Sequence, residues 1–114
     1  MNTTYFGFAI ADSMFSSCTT MVREVLSAEQ AAALAPSCKS CCNASHAVTL
    51  AAAKACFGID IAAQGAPQVS LSPGDSIVVM SVRGLPRLDA SRHEYTQAEI
   101  DSATFAFSRW TVRE

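Results

Sequence analysis

SPGDSIVVMSVRGL, residues 72–85, carries a tight-turn signal followed by an apolar, β-branched run. Proline presets φ for the second position of a turn and glycine accepts a positive φ at the third, so Pro73–Gly74 reads as a turn. Ser76–Leu85 then reads as a strand and Gln68–Leu71 as a strand before it, which together predict a β-hairpin. Toward the C-terminus, Thr96 and Glu99 have the spacing of a capping box, with Tyr95 and Ile100 as its hydrophobic staple. That helix is short and ends near Ser102, and Thr104–Val112 (TFAFSRWTV) has the aromatic, β-branched composition of a closing strand.

Toward the N-terminus, His46–Phe57 is rich in alanine, the best helix former, and Gly58 fits the position just past a helix end. Its near absence of charge predicts burial on most sides. Ser27 and Gln30 form another capping box, with Leu26 and Ala31 as staple, for a helix over Ala28–Leu34 that stops before Pro36. Thr4–Ile10 reads as a buried strand and Met21–Leu26 as a short one. Residues 11–20, Cys38–Ala44 and 86–95 connect these elements. The sum is an α/β (α+β) chain, one domain over residues 1–114, with a mixed sheet flanked by two or three helices.

Composition narrows the function. Half of the 114 residues are hydrophobic and 16% are charged, against about 25% charged in typical soluble domains. So few charges on a small domain predict that an oligomer hides part of the surface, and a two-fold homodimer is the expected form. The formal net charge of −2 gives no electrostatic footprint for duplex nucleic acid. No apolar run approaches the length of a membrane span. The first residues carry Asp12 and no basic leader, so the expectation is a cytoplasmic protein whose five cysteines are reduced thiols.

The candidate site centres on His46. The N-terminus of a helix carries about half a unit of positive charge and exposes free N–H groups, a combination that binds phosphate. That field opposes protonation of the imidazole until an anion binds, and the bound phosphate then restores the form that can act as a general acid. Asn43 and Ser45 offer a cap and further donors to a ligand. A histidine that only caps or packs at a helix start is the plain alternative. Cys38, Cys41, Cys42 and His46 have ligand types suited to zinc, but not the two separated pairs of most structural sites. The expectation is therefore no metal, with the thiols packing as small apolar groups. His93 shares a polar loop with Arg87 and Arg92, read either as a lid over a ligand or as a solvated connection. Trp110 is read either as a stacking surface for a base or as part of the core or an interface.

Four segments in order carry a family resemblance: LSAEQAAAL (26–34), NASHAVTLAAAKACFGIDI (43–61), QVSLSPGDSIVVMSV (68–82) and YTQAEIDSATFAFSRWTV (95–112). Their order and spacing resemble the small viral and prokaryotic ring nucleases that serve viruses as anti-CRISPR proteins. The resemblance implies a two-fold dimer whose groove holds cyclic tetraadenylate, the messenger of type III CRISPR systems. It implies metal-independent cutting into linear diadenylates ending in a 2′,3′-cyclic phosphate. The family histidine, which protonates the leaving 5′-oxygen, falls on His46, and no cofactor is implied. Thr49 keeps the family threonine, and ligand contacts are expected from Ser13, Asn43, Ser45, Thr49, Arg83 and Arg87. The chain departs from the pattern at Phe8 and Ala11, where the family has polar residues. It also has Ser45 for a glycine, Gly65 or Ala66 near an expected arginine, and no glutamate in the stretch Arg83–Arg87. A dimeric protein of the same fold that binds the cyclic nucleotide without cutting it is the alternative.

Overall fold

The structure, a computed structural model, describes residues 3–8, 10, 14–15, 20–42, 47–63, 69–84 and 96–113. In chain order they form β1 (Thr4–Gly7), β2 (Met21–Leu26), α1 (Ala28–Leu34), a 3-10 turn (Ala35–Ser37), β3 (Lys39–Ser40), α2 (Ala47–Phe57), β4 (Ser76–Arg83), α3 (Gln97–Ser102) and β5 (Thr104–Val112). The strands make one mixed sheet in the order β2-β5-β4-β1-β3. β1 is parallel to β3 and β4, whereas β5 is antiparallel to β4 and β2. The expected α+β architecture is thus present, with three helices.

Side chains alternate across each strand, so the two faces of the sheet bury different sets. On one face Phe6, Val78, Met80 and Phe107 meet Ala31 of α1, and Leu50 and Ala53 of α2. Phe57 closes the end of this core, its ring edge-on to Phe105 and Phe107 at centroid distances of 5.2 Å. On the other face Ile77, Val79 and Val112 are covered by Val69 and Leu71, which belong to no helix. A fully buried side chain of this size contributes about 1.5–3 kcal/mol, which makes β4, buried from Ser76 to Met80, the keystone strand.

The hairpin expectation is corrected. Val69–Leu71 form no strand, because both edges of β4 are already taken by β1 and β5. Leu71 instead donates its N–H to the Met14 carbonyl at 2.7 Å. The turn itself forms: Gly74 has φ +91° and the Asp75 N–H reaches the Ser72 carbonyl at 2.9 Å. The Asp75 carboxylate, only 9% exposed, then fastens the turn to the start of β1. Its Oδ1 accepts from the Thr3 N–H at 2.8 Å and its Oδ2 from the Ser72 N–H at 3.0 Å.

Other boundaries also moved. β1 ends at Gly7, not Ile10, and the chain bends at Phe8, whose ring packs edge-on to Phe6. α1 keeps its expected bounds, Ala28–Leu34, and a separate 3-10 turn, Ala35–Ser37, follows it through Pro36, since a proline near the start of a new helix sacrifices no needed N–H. β3 was not foreseen. α2 starts at Ala47 and buries only Leu50, Ala52 and Ala53, leaving Ala47, Ala51 and Ala55 exposed. Alanine forms helix by propensity whether buried or not, so the lack of charge did not mean burial on most sides. Gln68, Leu85, Tyr95, most of loop 11–20 and the loop 86–95 lie outside the described residues.

Gly7 lies where β1 passes closest to Cys41. A Cβ there would stand 2.6 Å from Cys41 Sγ, while that thiol donates to the Phe6 carbonyl at 3.1 Å. Gly7→Ala is expected to cost about 1–3 kcal/mol of stability, the usual cost of overpacking. Adding Cys41→Ala removes the clash, so the double variant should unfold at higher denaturant than Gly7→Ala alone.

Candidate functional site

The parallel strands β1, β3 and β4 run the same way, so their carboxyl ends lie together. Open sheets of this kind commonly place ligands beyond those ends. Among the described residues two recesses lie there, one on each face, and Phe8 lines both.

The first recess is on the helix-covered face, about 220 Å3 in volume, with Phe8, Thr49, Met80 and Val82 in its lining. Thr49 sits in the first turn of α2, where the helix field is positive and free N–H groups begin. Thr49, half-buried, is the polar residue among the described lining residues. Arg83 ends β4, exposed, opposite Thr104 of β5. By strand alternation it belongs to the other face, so the structure does not bring Thr49 and Arg83 together. His46, Ser13, Asn43, Ser45 and Arg87 lie outside the described residues, as do Arg92 and His93. His46 immediately precedes Ala47, the first residue of α2, in the chain.

The second recess is larger, about 340 Å3, on the face opposite α1 and α2. It runs across β1, β4, β5 and β2, with Val79, Ser81 and Ser108 as its floor. Phe8 and Ile10 border it on the β1 side, and Met21, Arg23 and Trp110 on the β2 side. Arg23 and Trp110 are directly opposed in the β2–β5 ladder, and the guanidinium lies over the indole, 5.8 Å from the ring centroid. The indole N–H donates to Ser108 Oγ at 3.0 Å, which fixes the ring along its strand. Trp110 is therefore half-buried and packs against the second core. Arg23 was not singled out in the sequence, because its neighbour across the ladder depends on a register that no single strand encodes. The next residue, Glu24, points to the opposite face and takes a two-pronged ion pair from Arg109, with N–O distances of 3.0–3.2 Å.

The cysteines near β3 pack and donate. Cys38 Sγ reaches the Leu34 carbonyl at 3.3 Å, and Cys41 and Cys42 both point to the Phe6 carbonyl, at 3.1 and 3.7 Å. Burial, with Cys41 nearby, pushes the Cys38 and Cys42 thiols up to about 11, and burial also raises Cys41. Thiols raised this far hold their protons at neutral pH, unlike the thiolates that react or bind metals.

No family model matches the chain, and no curated protein matches it. Among solved structures it is similar to B116 of Sulfolobus turreted icosahedral virus, with a TM-score of 0.69 over 96% of this chain and 99% of that one, at 14% identity. Likeness at that identity establishes a shared fold. No helix among the described residues is long and apolar enough to cross a membrane.

Proposed function

We propose that this chain is a metal-independent ring nuclease that binds cyclic tetraadenylate as a homodimer and cuts it into linear diadenylates. The observation that carries the proposal is the first turn of α2 opening, through Thr49, onto a recess at the carboxyl ends of the parallel strands. A helix start at that place suits a phosphate. The order and spacing of the four family-like segments support the same reading, and the fold shared with an archaeal virus protein is in keeping with a viral protein acting in the host cytoplasm.

In the proposed reaction a ribose 2′-oxygen forms a bond to the adjacent phosphorus, and the bond from phosphorus to the 5′-oxygen breaks. The 2′-hydroxyl proton is lost, and His46 supplies a proton to the departing 5′-oxygen. No water is consumed, so two such cuts divide the ring into two equal halves ending in 2′,3′-cyclic phosphates. Such chemistry depends on holding the ribose, phosphorus and leaving oxygen in line and on offsetting charge at phosphate, more than on a strong nucleophile. Thr49 and the α2 N–H groups would hold the phosphate, with Ser13, Asn43, Ser45 and Arg87 as further contacts, while Arg83 lies on the other face.

Phe8 favours a second reading. It lines both recesses with an apolar residue where the resembling family has a polar ligand contact, and a site that lost polar groups can retain binding while losing catalysis. The second reading is a dimeric sponge that sequesters the same cyclic nucleotide. Binding, common to both readings, is tested by thermal unfolding with cyclic tetraadenylate. A ligand present at 100 times its Kd stabilises by about 2.7 kcal/mol, a rise of roughly 10 °C in Tm for a domain of this size. No rise at millimolar ligand would contradict both readings.

A further inference from the structure

The face of the sheet opposite α1 and α2 has a charge pattern distinct from the composition of the chain. By strand alternation and pairing, the described strand residues on that face include Lys39, Arg23 and Arg83, and no carboxylate. Lys39 shares the face because it pairs with Tyr5 of β1, which packs in the second core. Glu24, the acidic residue of β2, is turned to the opposite face and held there by Arg109. A chain with net charge −2 thus presents cations on the strands of the face that also holds the larger recess.

We infer that this recess is a second ligand site, separate from the one at α2, and that it takes a nucleoside monophosphate unit. The base lies against Phe8 and Trp110, and the phosphate is turned toward the Arg23 guanidinium, the cation among the described residues that line the recess. The recess volume of about 340 Å3 falls in the range of small-molecule sites. Its lining has the mix such a unit requires: aromatic and apolar walls for the base, the hydroxyls of Ser81 and Ser108 on the floor, and a guanidinium at the rim. Base–aromatic stacking tolerates any base, and arginine adds a cation that stacks and pairs with phosphate. Arg23 is exposed and already set over the indole, so little side-chain freedom is lost when a ligand docks.

Trp110 is the single tryptophan of the chain, so its emission reports on this recess directly. Titration of the full chain with AMP is expected to quench that emission saturably. Adenosine, which lacks the phosphate, should bind about tenfold more weakly, equivalent to losing one charge-assisted contact. Arg23→Ser should raise the Kd for AMP by a similar factor, lower Tm by only a few degrees through loss of the contact with Trp110, and leave any cleavage of cyclic tetraadenylate unchanged, which separates this site from the one at α2. No saturable change at millimolar AMP, or equal Kd values for AMP in the parent and Arg23→Ser proteins, would overturn the inference. Trp110 emission that instead follows protein concentration, with sedimentation as a dimer, would assign the face to a second copy and overturn it too.

Discussion

His46→Ala protein should still be stabilised by cyclic tetraadenylate but should cut it roughly 100- to 10,000-fold more slowly, the range contributed by a positioned general acid. Separation of binding from cutting follows from the chemistry. The ligand is held by N–H groups, hydroxyls and cations spread over several segments, whereas the 5′-oxygen needs a proton only as its bond to phosphorus breaks. The imidazole therefore acts mainly in the transition state, and its removal lowers kcat with little change in KM. The measurement is single-turnover cleavage beside a thermal shift on the same preparation. Cutting at the parent rate would remove His46 from its role. Loss of both cutting and thermal shift would make it a binding residue instead.

Asp75→Ala should lower Tm by roughly 10 °C, for a loss of about 3 kcal/mol. The carboxylate is buried and accepts from two backbone N–H groups, those of Thr3 and Ser72. Backbone atoms of the same turn also hold the end of β5: Gly74 N–H donates to the Val112 carbonyl at 2.9 Å and Val112 N–H to the Asp75 carbonyl at 3.0 Å. Alanine leaves the Thr3 and Ser72 donors without this acceptor and frees the start of β1, which lies between β4 and β3. Asp75→Asn keeps one acceptor oxygen and should fall between the two. Differential scanning calorimetry decides the matter, and an unchanged Tm in Asp75→Ala would show that the turn is held by its backbone bonds alone.

The parts of this fold that were legible in the sequence are those specified by neighbours. Both capping boxes formed at the residues that announced them. Gln30 N–H reaches Ser27 Oγ and Glu99 N–H reaches Thr96 Oγ1, each at 3.1 Å, with the reciprocal bonds also made. Each box spans four residues, so its signal is complete within one segment. Val69–Leu71 misled for the opposite reason. Alternating apolar residues look alike whether they pair in a ladder or lie across a core, and only the occupancy of β4's edges distinguishes the two. β3, two residues long, is too short to carry a period.

The site divides along the same line. Thr49 was singled out because it keeps the threonine of the resembling family, and it does line a recess near the α2 start. Arg83 was placed in the same set, but strand alternation puts it on the other face. Arg23 escaped notice because its role comes from facing Trp110 across a ladder between residues far apart in the chain. His46 was singled out by the helix start it precedes and by the family-like segment around it.

The most direct measurement is incubation of the purified protein with cyclic tetraadenylate in excess EDTA, followed by chromatography and mass spectrometry of the products. The account predicts linear diadenylates of half the ring's mass, with no added water, each ending in a 2′,3′-cyclic phosphate. Intact ring recovered after many hours, from a protein that the same ligand stabilises against heat, would contradict the cutting reaction and leave the sponge.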